Sequence, residues 1–247
     1  MKILKLSVLA CALIVMTGTI NHVHAQDANE ILQKLDEVLY SAKDQQNKVT
    51  IILIDKNGEE SKREANVIQK GNDMRLFRFT SPASQAGIAF LSLPKDVMYI
   101  YMPAFGKERR IASHVKNQKF AGTDFSYDDM EAKLFSSKYD PELIDQDNET
   151  FTLKLVPKPG LKTDYSKQVI KINNQDFYPI TAEYFDKGGN KMKDATYQYE
   201  KVGNYWSAKE ILMKDLKKNH ATKMIVSEVV FDQGLSDDEF TVRKLKQ

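Results

Sequence analysis

Alternation of hydrophobic and polar residues runs through most of the chain after Asn47, and it limits the possible folds more than any other feature. In one segment Phe151, Leu153 and Leu155 alternate with polar residues, which predicts a strand with one buried and one solvated face. Asn57-Gly58, between two such segments, is the strongest short signal for a hairpin. The pattern predicts about eleven strands: 49–54, 65–68, 75–80, 87–93, 97–101, 150–156, 168–172, 178–185, 194–201, 205–214 and 222–231. Because they follow one another at hairpin spacing, they predict an antiparallel meander and not a parallel α/β sheet.

One amphipathic helix is predicted before the strands, at Ala28–Tyr40. Asp27 followed by Glu30 matches a capping box, and apolar residues then recur every three or four positions. This apolar stripe must be buried, and the concave face of a curved sheet is the natural partner. Short helices are also predicted at Tyr127–Phe135 and Ser236–Phe240. No linker divides the chain, so residues 26–247 are predicted to form a single domain.

The first 25 residues have the pattern of a secretory signal peptide. A short positive stretch, Met1–Lys5, precedes an apolar run from Leu6 to Met16, and Val23-His24-Ala25 supplies the residues that signal peptidase requires. The run is shorter than the roughly 20 apolar residues of a membrane-spanning helix. We therefore predict cleavage after Ala25 and export to the periplasm.

An alternative for the N-terminus involves Cys11, the single cysteine of the chain. It follows Val8-Leu9-Ala10, which resembles the cleavage site of a bacterial lipoprotein and would predict a membrane-anchored protein. If cleavage occurs after Ala25 instead, no cysteine remains. Disulfides, thiolate catalysis and cysteine-bound metals are then excluded.

Charge and motif content argue against nucleic-acid binding and against enzymatic activity. Loss of Lys2 and Lys5 with the signal leaves 34 basic and 34 acidic residues, whereas nucleic-acid-binding proteins usually carry a basic excess. His114 and His220, the histidines after Ala25, have no second ligand at zinc-site spacing. Nucleophile elbows, phosphate-binding loops and dinucleotide fingerprints are missing from the sequence. We predict no cofactor, no metal site and no catalytic residue.

The segment from Tyr99 to Asp129 differs from the rest of the chain. A Pro-Ala-Phe-Gly turn joins an aromatic strand to a strand containing Arg109 and Arg110, and a loop containing Asp124 follows. The arginines could form ordinary surface ion pairs with nearby aspartates. Alternatively, a guanidinium could close the mouth of a pocket or receive an anionic head group. Arg109, Arg110 and Asp124 are therefore candidates for the mouth or head-group region of a pocket.

Three motifs resemble the outer-membrane lipoprotein-sorting protein family, whose members are relatives of the periplasmic carrier LolA. They are Arg109-Arg110-Ile111-Ala112-Ser113, the Phe-x-Gly-Thr-Asp-Phe-Ser-Tyr-Asp-Asp run from Phe120, and the closing segment from Leu235 to Leu245. The resemblance implies a curved antiparallel sheet that forms an unclosed barrel, capped by helices and holding acyl chains. It also implies a lipid or lipoprotein cargo and a partner such as an envelope transporter or outer-membrane acceptor. We expect the protein to be a monomer.

The alternating pattern alone suggests which residues line the pocket. Met98, Ile100 and Met102 share one face of their strand, and a flexible methionine suits varied acyl chains. The other candidates, chosen by alternation, are Phe77, Phe79, Phe90, Leu153 and Trp206. The competing interpretation is that all of these are packed core.

Three functions remain open at this point. The first is a periplasmic carrier or chaperone that buries acyl chains without covalent chemistry. The second is a sensing or scaffold module of the envelope that binds a protein partner or transporter in a lipid-dependent way. The third, a hydrolase of envelope lipids or glycans, has the least support because the sequence offers neither a nucleophile nor a metal set.

Overall fold

The computed structural model describes residues 27–247. The predicted signal peptide and the alternative at Cys11 therefore lie outside the described residues. Thirteen strands form a single antiparallel sheet. They are β1 (Asp44–Ile54), β2 (Glu60–Lys70), β3 (Met74–Ser81), β4 (Ala89–Leu93), β5 (Val97–Met102), β6 (Lys107–Arg110), β7 (Tyr139–Gln146), β8 (Thr150–Pro157), β9 (Lys167–Asn173), β10 (Pro179–Phe185), β11 (Lys191–Val202), β12 (Tyr205–Asp215) and β13 (His220–Phe231).

The order of the strands shows why the sheet stays open. It runs from β6 through β5, β4, β3 and β2 to β1, and continues from β13 through consecutive hairpins to β7. β1 pairs with both β2 and β13, so the two halves of the chain join in the middle. The end strands β6 and β7 are not hydrogen-bonded to each other. The predicted unclosed antiparallel barrel is confirmed.

The count of eleven strands leaves out these two end strands, although the sequence analysis named a strand containing Arg109 and Arg110, which is β6. β6 consists of four charged residues, Lys107–Arg110, and β7 contains Pro141 among several acids. The two faces of an end strand do not both have to be apolar, and end strands tolerate charged residues and proline. Alternation of hydrophobic residues therefore does not detect them.

The helix α1 (Ala28–Leu39) lies where the sequence predicted a helix. The Asp27 carboxylate accepts a hydrogen bond from the Asn29 backbone N–H at its start. Ile31, Leu32 and Leu35 are buried in the main core, and α1 packs against β7, β12 and the short helix α2 (Phe135–Lys138). We call the face of the sheet covered by α1 the inner face. Among the described residues no helix is long and apolar enough to cross a membrane.

Residues 111–138, here called the capping segment, connect the two end strands across the inner face. The buried ring of Phe120 lies 5.2 Å from the ring of Phe77, 5.8 Å from Phe79 and 5.6 Å from Phe90, measured between centroids. This aromatic cluster anchors the segment over β3 and β4. The segment thus spans the gap that the strands leave open.

The prediction of a helix at Tyr127–Phe135 is wrong. A single helical backbone bond, from Met130 N–H to the Ser126 carbonyl, is not continued, and α2 begins only at Phe135. The local amides are bound by side chains instead, since Asp129 accepts from the Ser126 N–H at 2.7 Å. The acids of this segment are buried and paired, so the polar residues do not form a solvated helix face.

A smaller core lies on the outer face, under the C-terminus. The predicted helix at Ser236–Phe240 is a 3-10 turn at Asp237–Glu239, and the helix α3 (Val242–Leu245) follows it. Phe240 and Leu245 pack with Leu76, Ala89 and Leu91. Arg78 donates hydrogen bonds to the carbonyls of Lys244 and Leu245, which fixes α3 to β3.

Candidate functional site

A cavity of about 290 Å³ lies between the inner face of the sheet and the elements that cover this face, α1 and the capping segment. The floor comes mainly from β1–β3 and β11–β13, while the C-terminal end of α1 and residues 125–139 form the roof. The cavity is partly open to solvent. Its volume is at the lower end of the roughly 300–1,000 Å³ that ligand pockets usually have.

Much of the lining is hydrophobic. Apolar side chains come from both roof and floor: Leu39, Val49, Val67, Phe77, Phe125, Phe135, Ile211, Met213, Met224 and Val226. Trp206, the single tryptophan of the chain, also lines the cavity. Met213 and Met224 are flexible enough to adapt to chains of different shape. This part of the cavity suits a hydrocarbon ligand.

Five tyrosines give the cavity a partly polar wall: Tyr40, Tyr139, Tyr184, Tyr197 and Tyr199. The hydroxyls of Tyr184 and Tyr197 are 3.1 Å apart, and the Tyr139 hydroxyl accepts from Gln168 at 2.7 Å. Burial raises the pKa of Tyr197 to about 12 and raises the pKa of the other four as well. All five are therefore neutral hydrogen-bonding groups at physiological pH.

Arg75 places a guanidinium in the cavity wall. Its Nε donates to the Gln69 side-chain oxygen at 2.9 Å, and its Nη1 donates to the Met130 carbonyl in the capping segment at 2.9 Å. Burial lowers the pKa of Arg75, but an arginine remains protonated in proteins. Arg75 therefore joins β3 to the roof and brings a positive charge to the cavity.

The other charged residues of the wall are neutralised in pairs. Asp128 pairs with Lys138 at 2.8 Å, Glu131 with Lys116 at 3.4 Å, and Asp129 with Lys193 at 3.7 Å. Lys133 pairs with Asp96. Burial raises the pKa of Glu131, and the nearby lysines oppose that shift. Burial alone would lower the pKa of Lys138, but the Asp128 charge raises it, so Lys138 stays protonated.

Asp124 joins the capping segment to strand β13. Its carboxylate is fully buried and lies 2.6 Å from Lys119 Nζ, 2.6 Å from His220 Nδ1 and 2.8 Å from Thr222 Oγ1. Burial tends to raise the pKa of Asp124, but these hydrogen bonds outweigh it, and the pKa lies below its usual value. This aspartate is therefore ionised and structural.

Asp36 connects α1 to the roof in a similar way. Its buried carboxylate accepts the backbone N–H groups of Phe135 at 2.7 Å and Ser136 at 2.8 Å, at the start of α2. Burial raises the pKa of Asp36, and the two backbone hydrogen bonds oppose the shift. Helix α1 and the end of the capping segment are thus held together as one cover.

Two buried acceptors lack a hydrogen-bond partner in the part of the chain that is described, Asn47 Oδ1 and Ser92 Oγ. Asn47 lines the cavity. A buried polar atom without a partner is costly, so a ligand that donates a hydrogen bond would be favoured beside Asn47. Clusters of three or more potential metal ligands do not occur among residues 27–247.

The comparisons with known proteins agree with the fold and the cavity. A family model described as "Uncharacterized protein" matches residues 71–247, more than half of the chain. A protein domain from Vibrio parahaemolyticus that is described as an outer-membrane lipoprotein-sorting protein is 26% identical to this chain, and its structure superposes with a TM-score of 0.81. The match covers 89% of this chain and 98% of that one. The chain belongs to the family of that model, and the predicted resemblance to LolA-like outer-membrane lipoprotein-sorting proteins is confirmed.

Two further structures resemble this LolA-like chain. A DUF1329 family protein from Desulfovibrio piger is 25% identical, with a TM-score of 0.82 over 88% of this chain and 97% of that one. A LolA superfamily protein from Nitrosomonas europaea is 24% identical, with a TM-score of 0.74 over 88% and 98%, and shares the fold. The comparison with curated protein sequences found no match.

In the structure, the residues that alternation suggested as pocket lining fall into two groups. Phe77 and Trp206 line the cavity. The others belong to the packed region of the inner face and lie outside the cavity lining: Phe79, Phe90, Met98, Ile100 and Leu153 are buried, and the half-buried Met102 packs against them.

The proposed mouth residues are not brought together. Arg109 and Arg110 are exposed on β6, and the Arg109 guanidinium lies 5.1 Å from the ring centroid of Phe105. Asp124 is buried and pairs with Lys119 and His220, so the arginine–aspartate pairing considered above is not formed.

The sequence analysis missed Arg75. A signal was present, because Arg75 alternates in phase with Phe77 and Phe79 and must share their inner face. An arginine on a buried strand face is rarely left without a role.

Proposed function

We propose that the protein is a periplasmic carrier that holds an acyl chain of a lipid or lipidated protein in the cavity, without covalent chemistry. The observation that carries the proposal is a partly hydrophobic cavity of about 290 Å³ that lies beneath a separate cover on an open sheet. The likeness to LolA-like proteins supports a binding role. Export of the chain, predicted from its first 25 residues, supports the location.

Hydrophobic burial would supply the affinity. Each methylene removed from water contributes about 0.8 kcal/mol, so part of one acyl chain is enough for measurable binding. The cavity is too small to hold two or three complete chains. A cargo with several chains would require the cover to move outward.

The cover is attached in a way that permits such movement. Several of the roof contacts that border the cavity are polar, including the Arg75 bond to the Met130 carbonyl and the Asp36 bonds to α2. Water can replace polar contacts, at a net cost of about 1.5–3 kcal/mol for each hydrogen bond to a charged group. Docking to an acceptor or transporter could offset a cost of this size, and release of the cargo would follow.

The experiment that tests the proposal is native mass spectrometry of protein purified from its own periplasm, followed by organic extraction. The variant Ala208→Phe places a ring in the cavity, and Lys209→Phe places the same ring at an exposed position of the same strand. We expect a co-purified lipid or acylated peptide in the wild type and in Lys209→Phe, and its loss in Ala208→Phe.

Other outcomes would replace the proposal. A protein free of lipid that also takes up no fatty acid in vitro would contradict the carrier function. A protein that binds lipid but keeps it when mixed with acceptor membranes, and changes its protein partner instead, would be a sensing module.

A further inference from the structure

The guanidinium of Arg75 has hydrogen-bonding capacity that the protein does not use. A guanidinium carries five N–H donors. Nε and Nη2 each donate to the Gln69 side-chain oxygen, and Nη1 donates once to the Met130 carbonyl. Two N–H donors, one on each terminal nitrogen, remain beside the cavity.

Arg75 also differs from every other charged residue that lines the cavity. Asp128, Asp129, Glu131, Lys133 and Lys138 each have a partner of opposite charge within 4.0 Å. In residues 27–247 no carboxylate lies that close to Arg75, and both of its acceptors are neutral. Glu131 is near enough to act on Arg75 electrostatically, but Lys116 holds it at 3.4 Å. A positive charge in a partly hydrophobic cavity is thus left without a counter-charge.

Nearby polar groups would assist an anion at this position. Tyr40 and Tyr199, both neutral, lie near Arg75 and line the same cavity. The Tyr199 hydroxyl makes no hydrogen bond to a described residue, so it can donate to a ligand. Phe77 on β3 and Val67 on β2 form the neighbouring pair on the same face of the sheet. Their apolar side chains line the cavity beside Arg75.

We propose that Arg75 receives the anionic head group of a single-chain amphiphile whose hydrocarbon part lies in the apolar portion of the cavity. The head group is a carboxylate or a phosphate monoester, because both accept two parallel hydrogen bonds from a guanidinium. The volume of about 290 Å³ limits the ligand to one chain. This inference rests on the proposed carrier function and specifies the class of cargo.

Trp206 provides the assay, since it is the single tryptophan and lines the cavity. Protein expressed from the full chain is titrated with laurate, dodecyl phosphate and dodecanol, which share one chain length, and the Trp206 fluorescence is followed. Arg75→Gln removes the charge. Arg109→Gln removes the same charge from an exposed position on β6 and is the control.

We expect at least one anion to bind the wild type about tenfold more tightly than dodecanol, since hydrogen bonds to charged groups are the stronger ones. Arg75→Gln should lose this preference while it still binds dodecanol, and Arg109→Gln should keep the preference. The comparison of laurate with dodecyl phosphate distinguishes a carboxylate from a phosphate ligand.

Three results would overturn the inference. If the wild type binds dodecanol as tightly as the anions, Arg75 does not recognise the head group, although the carrier function stands. If Arg75→Gln weakens all three ligands by the same factor, Arg75 is only a structural link to Met130. If none of the three ligands binds, the carrier function fails together with the inference. The wild-type comparison gives an answer even if Arg75→Gln does not fold.

Discussion

The affinity for fatty acids should increase with chain length and then stop increasing, because the cavity has a definite volume. A methylene group occupies about as much space as a water molecule in the liquid, roughly 30 Å³. A cavity of about 290 Å³ then holds on the order of ten methylenes. Longer chains must leave their remaining carbons in water.

The size of the increase follows from hydrophobic burial. Each buried methylene contributes about 0.8 kcal/mol, which is about fourfold in the dissociation constant. From hexanoate to decanoate, four added methylenes should contribute about 3 kcal/mol, or roughly 200-fold. Between decanoate and palmitate we expect little further gain.

The assay is a titration of Trp206 fluorescence with saturated fatty acids, kept below their critical micelle concentrations. The variant Ala208→Phe reduces the available volume, so its plateau should begin at a shorter chain. Lys209→Phe, at an exposed position of β12, should leave the plateau where it is.

Two results would refute the reasoning. An affinity that does not depend on chain length would mean that the hydrocarbon part is not buried. A gain of about fourfold per methylene that continues to palmitate would mean that the bound state has a much larger cavity, with the cover displaced. The position of the plateau therefore measures whether the closed structure is the ligand-binding state.

Three further predictions concern the contacts that hold the cover. Asp124→Asn should lower the free energy of unfolding by about 3 kcal/mol at pH 7, because it breaks a buried charged cluster. The pKa of Asp124 is lowered in the folded state, so its contribution is complete above the unfolded pKa of about 4 and is lost as pH falls through the folded pKa. Asp36→Ala should cost about 2 kcal/mol by removing two hydrogen bonds that its carboxylate accepts from partly buried backbone N–H groups of α2. Phe120→Ala should cost about 3–5 kcal/mol, since its ring is fully buried among other aromatic rings.

Urea denaturation measures all three, with Asp237→Asn as the control because Asp237 is exposed. A change below about 0.5 kcal/mol for Asp124→Asn would show that the cluster is not structural. The stability difference between wild type and Asp124→Asn should stay constant from pH 6 to about 4 and shrink as the pH falls further, and a difference that stays constant below pH 4 would contradict the pKa argument. For Asp36→Ala and Phe120→Ala, stability equal to that of Asp237→Asn would mean that the cover contributes nothing to folding.

The sheet and the long helix were predictable because both repeat a simple burial pattern. In β1, Val49, Ile51 and Leu53 are buried at every second position, and α1 buries Ile31, Leu32 and Leu35 at helical spacing. The capping segment has no such period, because its conformation depends on tertiary contacts of single residues such as Phe120. Its secondary structure could therefore not be read from local sequence.

The cavity was only partly predictable for a related reason. Alternation identifies the inner face of β3 but gives no position along the strand. Phe77 borders the cavity, whereas Phe79, two residues later, is covered by the ring of Phe120. Which part of the inner face stays open depends on where the capping segment lies. For Arg75 the information was present in the alternation, but a charged residue is usually interpreted as solvent-facing.

The cover has an apolar anchor at one end and polar contacts over the cavity. At the anchor, Phe120 is surrounded by the rings of Phe77, Phe79 and Phe90, and its exposure to water would cost several kcal/mol. Over the cavity, the groups that would be exposed include carboxylates, lysines and backbone amides, which water solvates well, together with the apolar side chains of Phe125, Met130 and Phe135. Outward movement of residues 125–138 alone leaves the Phe120 anchor packed and is therefore less costly than detachment of the whole capping segment. Under the proposed carrier function, such a cover would enlarge the cavity for a cargo while the aromatic cluster around Phe120 stays packed.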